Sequence, residues 1–176
     1  MTDFARLLEA EIPRLRRYAR ALTRDGARAD DLVQNCLLRA IAKQHLWQPG
    51  TNLRAWLFTI LHNQNVNDVR RAVHEGNNVG IEEIAPVLSV RPQAMAALEI
   101  RDLEAAIAKL VPEQRQAILL VGLEGMAYEE VALILRVPIG TVRSRLSRGR
   151  DQLRRLMDMD ETLPPAAEPA ARRHAA

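Results

Sequence analysis

Aromatic residues are nearly absent: two Trp, two Tyr and two Phe make up 3% of 176 residues. β-Branched runs are also scarce, so sheets, which draw on both groups, are disfavoured and helices favoured. The single cysteine, Cys36, excludes an internal disulfide. It falls on an apolar helical stripe and reads as a reduced core thiol. Nowhere do about eighteen uncharged apolar residues run together, as a transmembrane helix requires. Residues 1–10 carry Asp3 and Glu9 where a signal peptide needs an apolar stretch, so a cytoplasmic protein without membrane insertion is expected. His45, His62, His74 and His174 are scattered without metal-ligand spacing, no glycine-rich phosphate loop is present, and Cys36 has no activating base on its apolar face. Catalytic residues, metal ligands, cofactors and a small-molecule substrate are therefore not expected, and the chain does not read as an enzyme.

What is present is a soluble composition, 48% apolar and 27% charged, with a formal net charge of only +3. Bulk charge does not announce a nucleic-acid partner, but its distribution does. Between Arg136 and Arg155 lie seven arginines against one acid, Asp151, whereas Glu82 to Glu130 is richer in acids. Lys43 and Lys109 are the sole lysines, and the guanidinium that replaces lysine elsewhere suits bidentate contact with phosphate and guanine edges. A GC-rich genome also favours arginine codons, so composition alone leaves both causes standing.

The periodicity predicts an all-α protein of two small helical bodies. A first helix carries Leu7, Leu8, Ile12, Leu15, Tyr18, Ala19 and Leu22 on one face from Phe4 onward. Pro13 predicts a kink or a fresh start there. After a turn at Asp25 and Gly26, a second helix is expected to open near Asp30 and Asp31, with Leu32, Val33, Cys36, Leu37, Ala40 and Ile41 inward. A third, from Leu53 to Arg71, places Trp56, Leu57, Ile60, Leu61 and Val66 inward, completing a bundle over residues 1–71. Periodicity fails over 72–92, apart from a hint of helix at Ile81 to Ile84, which reads as a linker. Its roughly twenty residues reach about 70 Å when extended, close to two turns of B-DNA at roughly 34 to 36 Å each. The second body covers 93–157, with Met95, Leu98, Leu103, Ile107 and Leu110 on one face, then Ile118, Leu119 and Leu123. Residues 158–176 are too poor in large apolar groups to fold and are expected to be disordered.

Residues 128–150 read as a helix-turn-helix. Tyr128 to Leu135 is the first helix, with Val131, Ala132 and Leu135 toward the core. Pro138 stops the chain, and Gly140 and Thr141 open the next helix, whose buried side is Val142, Leu146, Gly149 and Leu153. Thr141, Arg143, Ser144, Arg145, Ser147 and Arg148 remain for DNA, with Arg143, Ser144, Ser147 and Arg148 outward and Arg145 flanking toward phosphates. The template wants glycine at the turn, where this chain has Arg136. A left-handed Arg136 would cost roughly 1 to 2 kcal/mol.

The run Tyr128-Glu129-Glu130-Val131-Ala132 through Pro138 to Arg150 closely resembles region four of extracytoplasmic-function sigma factors. Ala29-Asp30-Asp31-Leu32-Val33-Gln34 and Asn52-Leu53-Arg54-Ala55-Trp56-Leu57-Phe58-Thr59-Ile60 resemble region two. The resemblance spans most of residues 10–156 and implies a dissociable subunit of bacterial RNA polymerase. Region two would dock on the clamp coiled coil and open the promoter near minus ten, while region four reads minus thirty-five and meets the flap. By the same resemblance Asp31, Gln34 and Asn35 fall where the family touches the clamp; the usual glutamate is Asn35 here and the usual aromatic is Leu37. Trp47 and Asn63 fall near the flipped base, where a stacking surface and an amide suit an unstacked base. A half-buried packing role for Trp47 and a backbone-satisfying role for Asn63 stay open beside that reading. His62 reads as a surface residue near the DNA. The segment Trp47 to Trp56 looks most like the general-stress-response branch, whose members are sequestered by a small anti-sigma protein. Two other classes use the same segments: a sigma-like decoy that captures an anti-sigma protein, and an ordinary helix-turn-helix regulator, in which Asp31, Gln34 and Trp47 would lack a purpose.

Overall fold

A computed structural model describes residues 3–74 and 94–157. The described residues form helices and turns, with no strand among them. Helix α1, Asp3–Thr23, is a single element with Pro13 inside it on an exposed position, so the fresh start that proline suggested does not occur. Leu8, Leu15, Tyr18, Ala19 and Leu22 are its buried face. Helix α2, Gly26–Ala42, opens a turn earlier than expected. Asp25 is its N-cap, its Oδ1 accepting from the Arg28 amide at 3.0 Å, and such a cap outweighs the weaker dipole preference of Asp30 and Asp31. Asp30 instead lies 4.0 Å from Arg16 and 3.9 Å from Arg20 on α1. Ile41, expected inward, is 53% exposed, and the buried face of α2 ends at Ala40.

A 3-10 turn, Gln44–Leu46, leads to α3, Leu53–His74, whose amide at Ala55 is capped by Asn52 Oδ1 at 3.0 Å. The helix runs three residues beyond the expected end of the first body. Leu53, Leu57, Phe58, Leu61, His62 and Gln64 are buried along it. Trp56, Ile60 and Val66 are only partly buried. Tyr18 and Phe58 meet at the centre with ring centroids 5.1 Å apart, a tilted pair of the kind aromatic quadrupoles favour.

The expected linker and the hint of helix at Ile81 to Ile84 lie largely outside the described residues, as does the tail from residue 158. Helix α4, Ala94–Ala108, leaves Leu98 and Leu103 exposed, contrary to the inward face expected there, and buries Ala106. A neighbour across that side of α4 would be needed to cover them, and among the described residues α4 packs chiefly on α7. Arg115, on α5 (Pro112–Ile118), closes the end of α4. Its guanidinium donates to the carbonyls of Ile107 at 3.2 Å, Ala108 at 2.5 Å and Leu110 at 3.0 Å, at and just beyond the helix C-terminus, where carbonyls lack the full set of intrahelical donors.

One turn of π-helix, Leu119–Leu123, then delivers Glu124 and a left-handed Gly125. Helices α6, Tyr128–Leu135, and α7, Ile139–Leu156, complete the second body. The two bodies do not stand apart. α3 packs on α6, α1 on the π-turn, and one continuous apolar core runs from Leu8 to Leu146.

Candidate nucleic-acid interface

The helix-turn-helix is built from its core outward. Glu130 reaches back over the first turn of α6, its carboxylate accepting from the Ala127 amide at 2.9 Å, and Val131, Ile134 and Leu135 anchor the helix. Arg136 ends it in the left-handed conformation at φ 54°, ψ 46°, its amide donating back to the Leu133 carbonyl at 3.3 Å. The strain that the missing glycine implied is therefore present. Pro138 caps α7, accepting at its carbonyl from the amides of Thr141 at 2.9 Å and Val142 at 3.2 Å.

Along α7, Val142, Leu146 and Gly149 are buried, and burial of each large aliphatic side chain contributes about 1.5 to 3 kcal/mol. Gly149 permits close approach to α5. A Cβ there would meet Ile118 Cγ1 at 3.0 Å and Gln114 Cβ at 3.4 Å. With that stripe fixed inward, Arg143, Ser147 and Arg148 are exposed, and Thr141, Ser144 and Arg145 are half-exposed. Ser144 donates its hydroxyl to the Thr141 carbonyl at 3.0 Å, which leaves its oxygen to accept. The one acid of the helix, Asp151, binds Arg154 at 3.1 Å.

The other expected base-contacting pair is placed differently. Trp47 is half-buried with its ring centroid 5.5 Å from Phe4, and its Nε1–H is buried without a partner among the described residues. Asn63 is half-exposed on α3 between His62 and Gln64, both buried. His62, expected on the surface, is only 8% exposed, because α6 covers the side of α3 that an isolated first body would show to water. Burial, then the charges of Arg136 and Arg145, hold its imidazole below the usual histidine range.

Asp31, Gln34 and Asn35 share an exposed face of α2, which continues through Leu38, 65% exposed, toward Ile41. The spacing of 31, 34, 35 and 38 is one helical stripe, so the expected clamp face is part apolar. Cys36 lies opposite, its thiol pushed up to about 12 by burial, and it donates weakly to the Leu57 carbonyl at 3.5 Å.

Sequence reasoning missed the links between the bodies. Arg17 of α1 donates from Nε to Glu124 Oε1 at 3.1 Å and from Nη2 to the Leu123 carbonyl at 3.3 Å, while Arg14 lies 3.9 Å from Glu124 Oε2. The Glu124 side chain is fully buried, and burial raises its pKa against the opposing pull of Arg17, Arg14 and Arg54. Asn52 donates to Glu130 of α6. No local pattern marks such pairs; the excess of arginine on α1, at 14, 16, 17 and 20, is the one signal that a carboxylate partner was owed.

Residues 8–62 match the family described as the Sigma2 domain of PhyR, and residues 100–153 match sigma-70, region 4. The chain is 42% identical over 151 residues to the ECF RNA polymerase sigma factor EcfG of Rhodopseudomonas palustris (strain TIE-1), covering 86% of this chain and 83% of that protein. It is 30% identical over 154 residues to the RNA polymerase sigma factor CarQ of Myxococcus xanthus, covering 88% of each. Among solved structures, the sigma factor RpoE of Bartonella quintana, in complex with the anti-sigma factor NepR, superposes with a TM-score of 0.77 at 36% identity, over 92% of this chain and all of that one. With these matches, the chain belongs to the extracytoplasmic-function RNA polymerase sigma factors.

Proposed function

We propose that α7 reads the minus thirty-five element through Thr141, Arg143, Ser144, Arg145, Ser147 and Arg148, and that Trp47 and Asn63 serve the minus ten element. Asp31, Gln34 and Asn35, with Leu38 beside them, dock on the clamp of core RNA polymerase. The observation that carries this reading is the division of α7 into a buried stripe of Val142, Leu146 and Gly149 and an outward face of arginine and hydroxyl groups. Arginine forks on a major-groove helix reach guanine edges bidentately, each worth about 1 to 3 kcal/mol of discrimination. The likeness to EcfG and to the NepR-bound RpoE supports a place in the general stress response under a small anti-sigma protein, and a cytoplasmic location.

The test is run-off transcription with core polymerase on cognate promoters, comparing the wild-type chain with an Arg143→Ala, Arg148→Ala variant. The variant is expected to lose about 100-fold or more in promoter-directed initiation, from two lost base contacts. Full retention in cells would instead favour a decoy that binds an anti-sigma protein without reading DNA.

A further inference from the structure

Both tryptophans of this aromatic-poor chain meet Phe4, which stands in the first turn of α1. Its ring centroid lies 5.5 Å from that of Trp47 at an interplanar angle of 45°, and 6.5 Å from that of Trp56 at 67°, an edge-on contact. The two indoles are supported unequally. Trp56 belongs to the first turn of α3, with its amide donating to the Asn52 carbonyl at 3.2 Å. Trp47 stands in the connection between α2 and α3, among His45, Leu46, Gln48 and Pro49, all exposed. Its backbone is fixed locally: the Trp47 amide donates to the Gln44 carbonyl at 3.1 Å, and Thr51 Oγ1 donates to the Gln48 carbonyl at 2.7 Å. Those bonds leave the side-chain torsions of Trp47 undetermined. The ring takes its support from Phe4, which itself leans on Trp56.

The burial of Trp47 is uneven. The residue as a whole is half-exposed, yet its Nε1 is buried, with no acceptor among the described residues. What Trp47 shows to solvent is therefore carbon surface. Such a surface stacks on any base, because every base has a π-face, and the nitrogen is the only hydrogen-bonding group an indole has for telling bases apart. We propose that Phe4 is a positioning residue for strand opening: it holds the Trp47 indole with its N–H inward and its carbon surface outward, as a stacking platform for an unstacked base of the minus ten element. Phe4 does not touch the base. It acts through Trp47, and Trp56 ties it to the start of α3. Base identity is then read by polar groups elsewhere, the part given above to the Asn63 amide.

This inference rests on the placing of Trp47 at the minus ten element, and the experiment separates the two. Holoenzyme assembled from the full chain and core polymerase is mixed with a cognate duplex promoter carrying a fluorescent base analogue in the minus ten element, whose emission rises as the base unstacks. Phe4→Ala should slow opening about 10-fold, within the range of one base–aromatic stack, and leave initial promoter binding unchanged. Trp47→Ala should slow it at least as much. The double variant should be no slower than Trp47→Ala alone, because a residue that acts through that ring adds nothing once the ring is gone. In the unbound chain, tryptophan emission comes from this cluster alone, and Phe4→Ala should make it more readily quenched by acrylamide. Should Phe4→Ala lose its helical circular dichroism, Phe4→Leu, which keeps most of the apolar contact and removes the ring, takes its place with the same expected pattern. Opening at the parent rate by a folded Phe4 variant overturns the proposal. So does a loss of initial binding as large as the loss in opening, or a double variant in which the two effects add in full. Trp47→Ala opening at the parent rate instead removes the minus ten role of Trp47 itself, and the proposal falls with it.

Discussion

Helices α7 and α3 both carry residues expected to meet DNA, but they are packed in opposite ways. α7 closes the chain's last body and buries one stripe, so its polar residues fall on one side, and spacing alone sorts inward from outward. α3 lies between α1 and α2 on one side and α6 on the other. Leu57, Phe58 and Leu61 serve the first contact, and His62 and Gln64 are buried as well, so polar residues enter the interior and the periodicity blurs. A one-sided helix can be read from its own sequence; a sandwiched one needs its distant partner.

The comparison breaks most visibly if the one-sided packing of α7 is disturbed. Gly149→Leu places a full side chain where even a Cβ would meet Ile118 Cγ1 at 3.0 Å. It should destabilise the fold by about 1 to 3 kcal/mol, the usual cost of overpacking, or more if α5 cannot shift. Thermal unfolding followed by circular dichroism reads this directly. An unchanged midpoint would mean that α7 is not seated on α5 as tightly as the distances require.

Legibility follows the range of the interactions. The bounds of α6 coincide with the expected Tyr128 to Leu135, and the left-handed turn was implied by Arg136 standing at a glycine position. Both are decided within a few residues. The start of α2 was misplaced because two signals competed locally and the Asp25 cap prevailed over Asp30 and Asp31. Leu98, Leu103 and Ile41 carry helical spacing yet remain exposed, since periodicity states which residues share a face and not whether anything covers it. His62 and Glu124 were out of reach altogether. The partner that pairs with Glu124 lies 107 residues away, on a different body.

A smaller effect is expected at the turn of the helix-turn-helix. Arg136→Gly removes the Cβ that resists φ 54°, relieving roughly 1 to 2 kcal/mol of strain, while glycine loses more backbone freedom on folding. The net should be a stabilisation of up to about 1 kcal/mol, read as a higher midpoint in urea. A loss of stability would show that the Arg136 side chain contributes more to the fold than its backbone strain takes away.

The finest probe of the sandwich is the pH dependence of His62. Its native pKa is depressed from 6.5, first by burial and then by Arg136 and Arg145. As pH falls through about 6.5 the unfolded chain takes up the proton first. The stability of the neutral, buried imidazole is therefore complete above that pH and declines as pH falls toward the native value. Glu124 acts with the opposite sign. Its native pKa is raised, so acidification toward 4.5 protonates the folded carboxyl first and adds stability. Comparing the parent with His62→Gln between about pH 7.5 and about pH 5.5 isolates the histidine. The parent's melting temperature should fall more than the variant's over that interval. Equal slopes would mean that His62 meets water, and that α6 does not cover α3 as the buried imidazole requires.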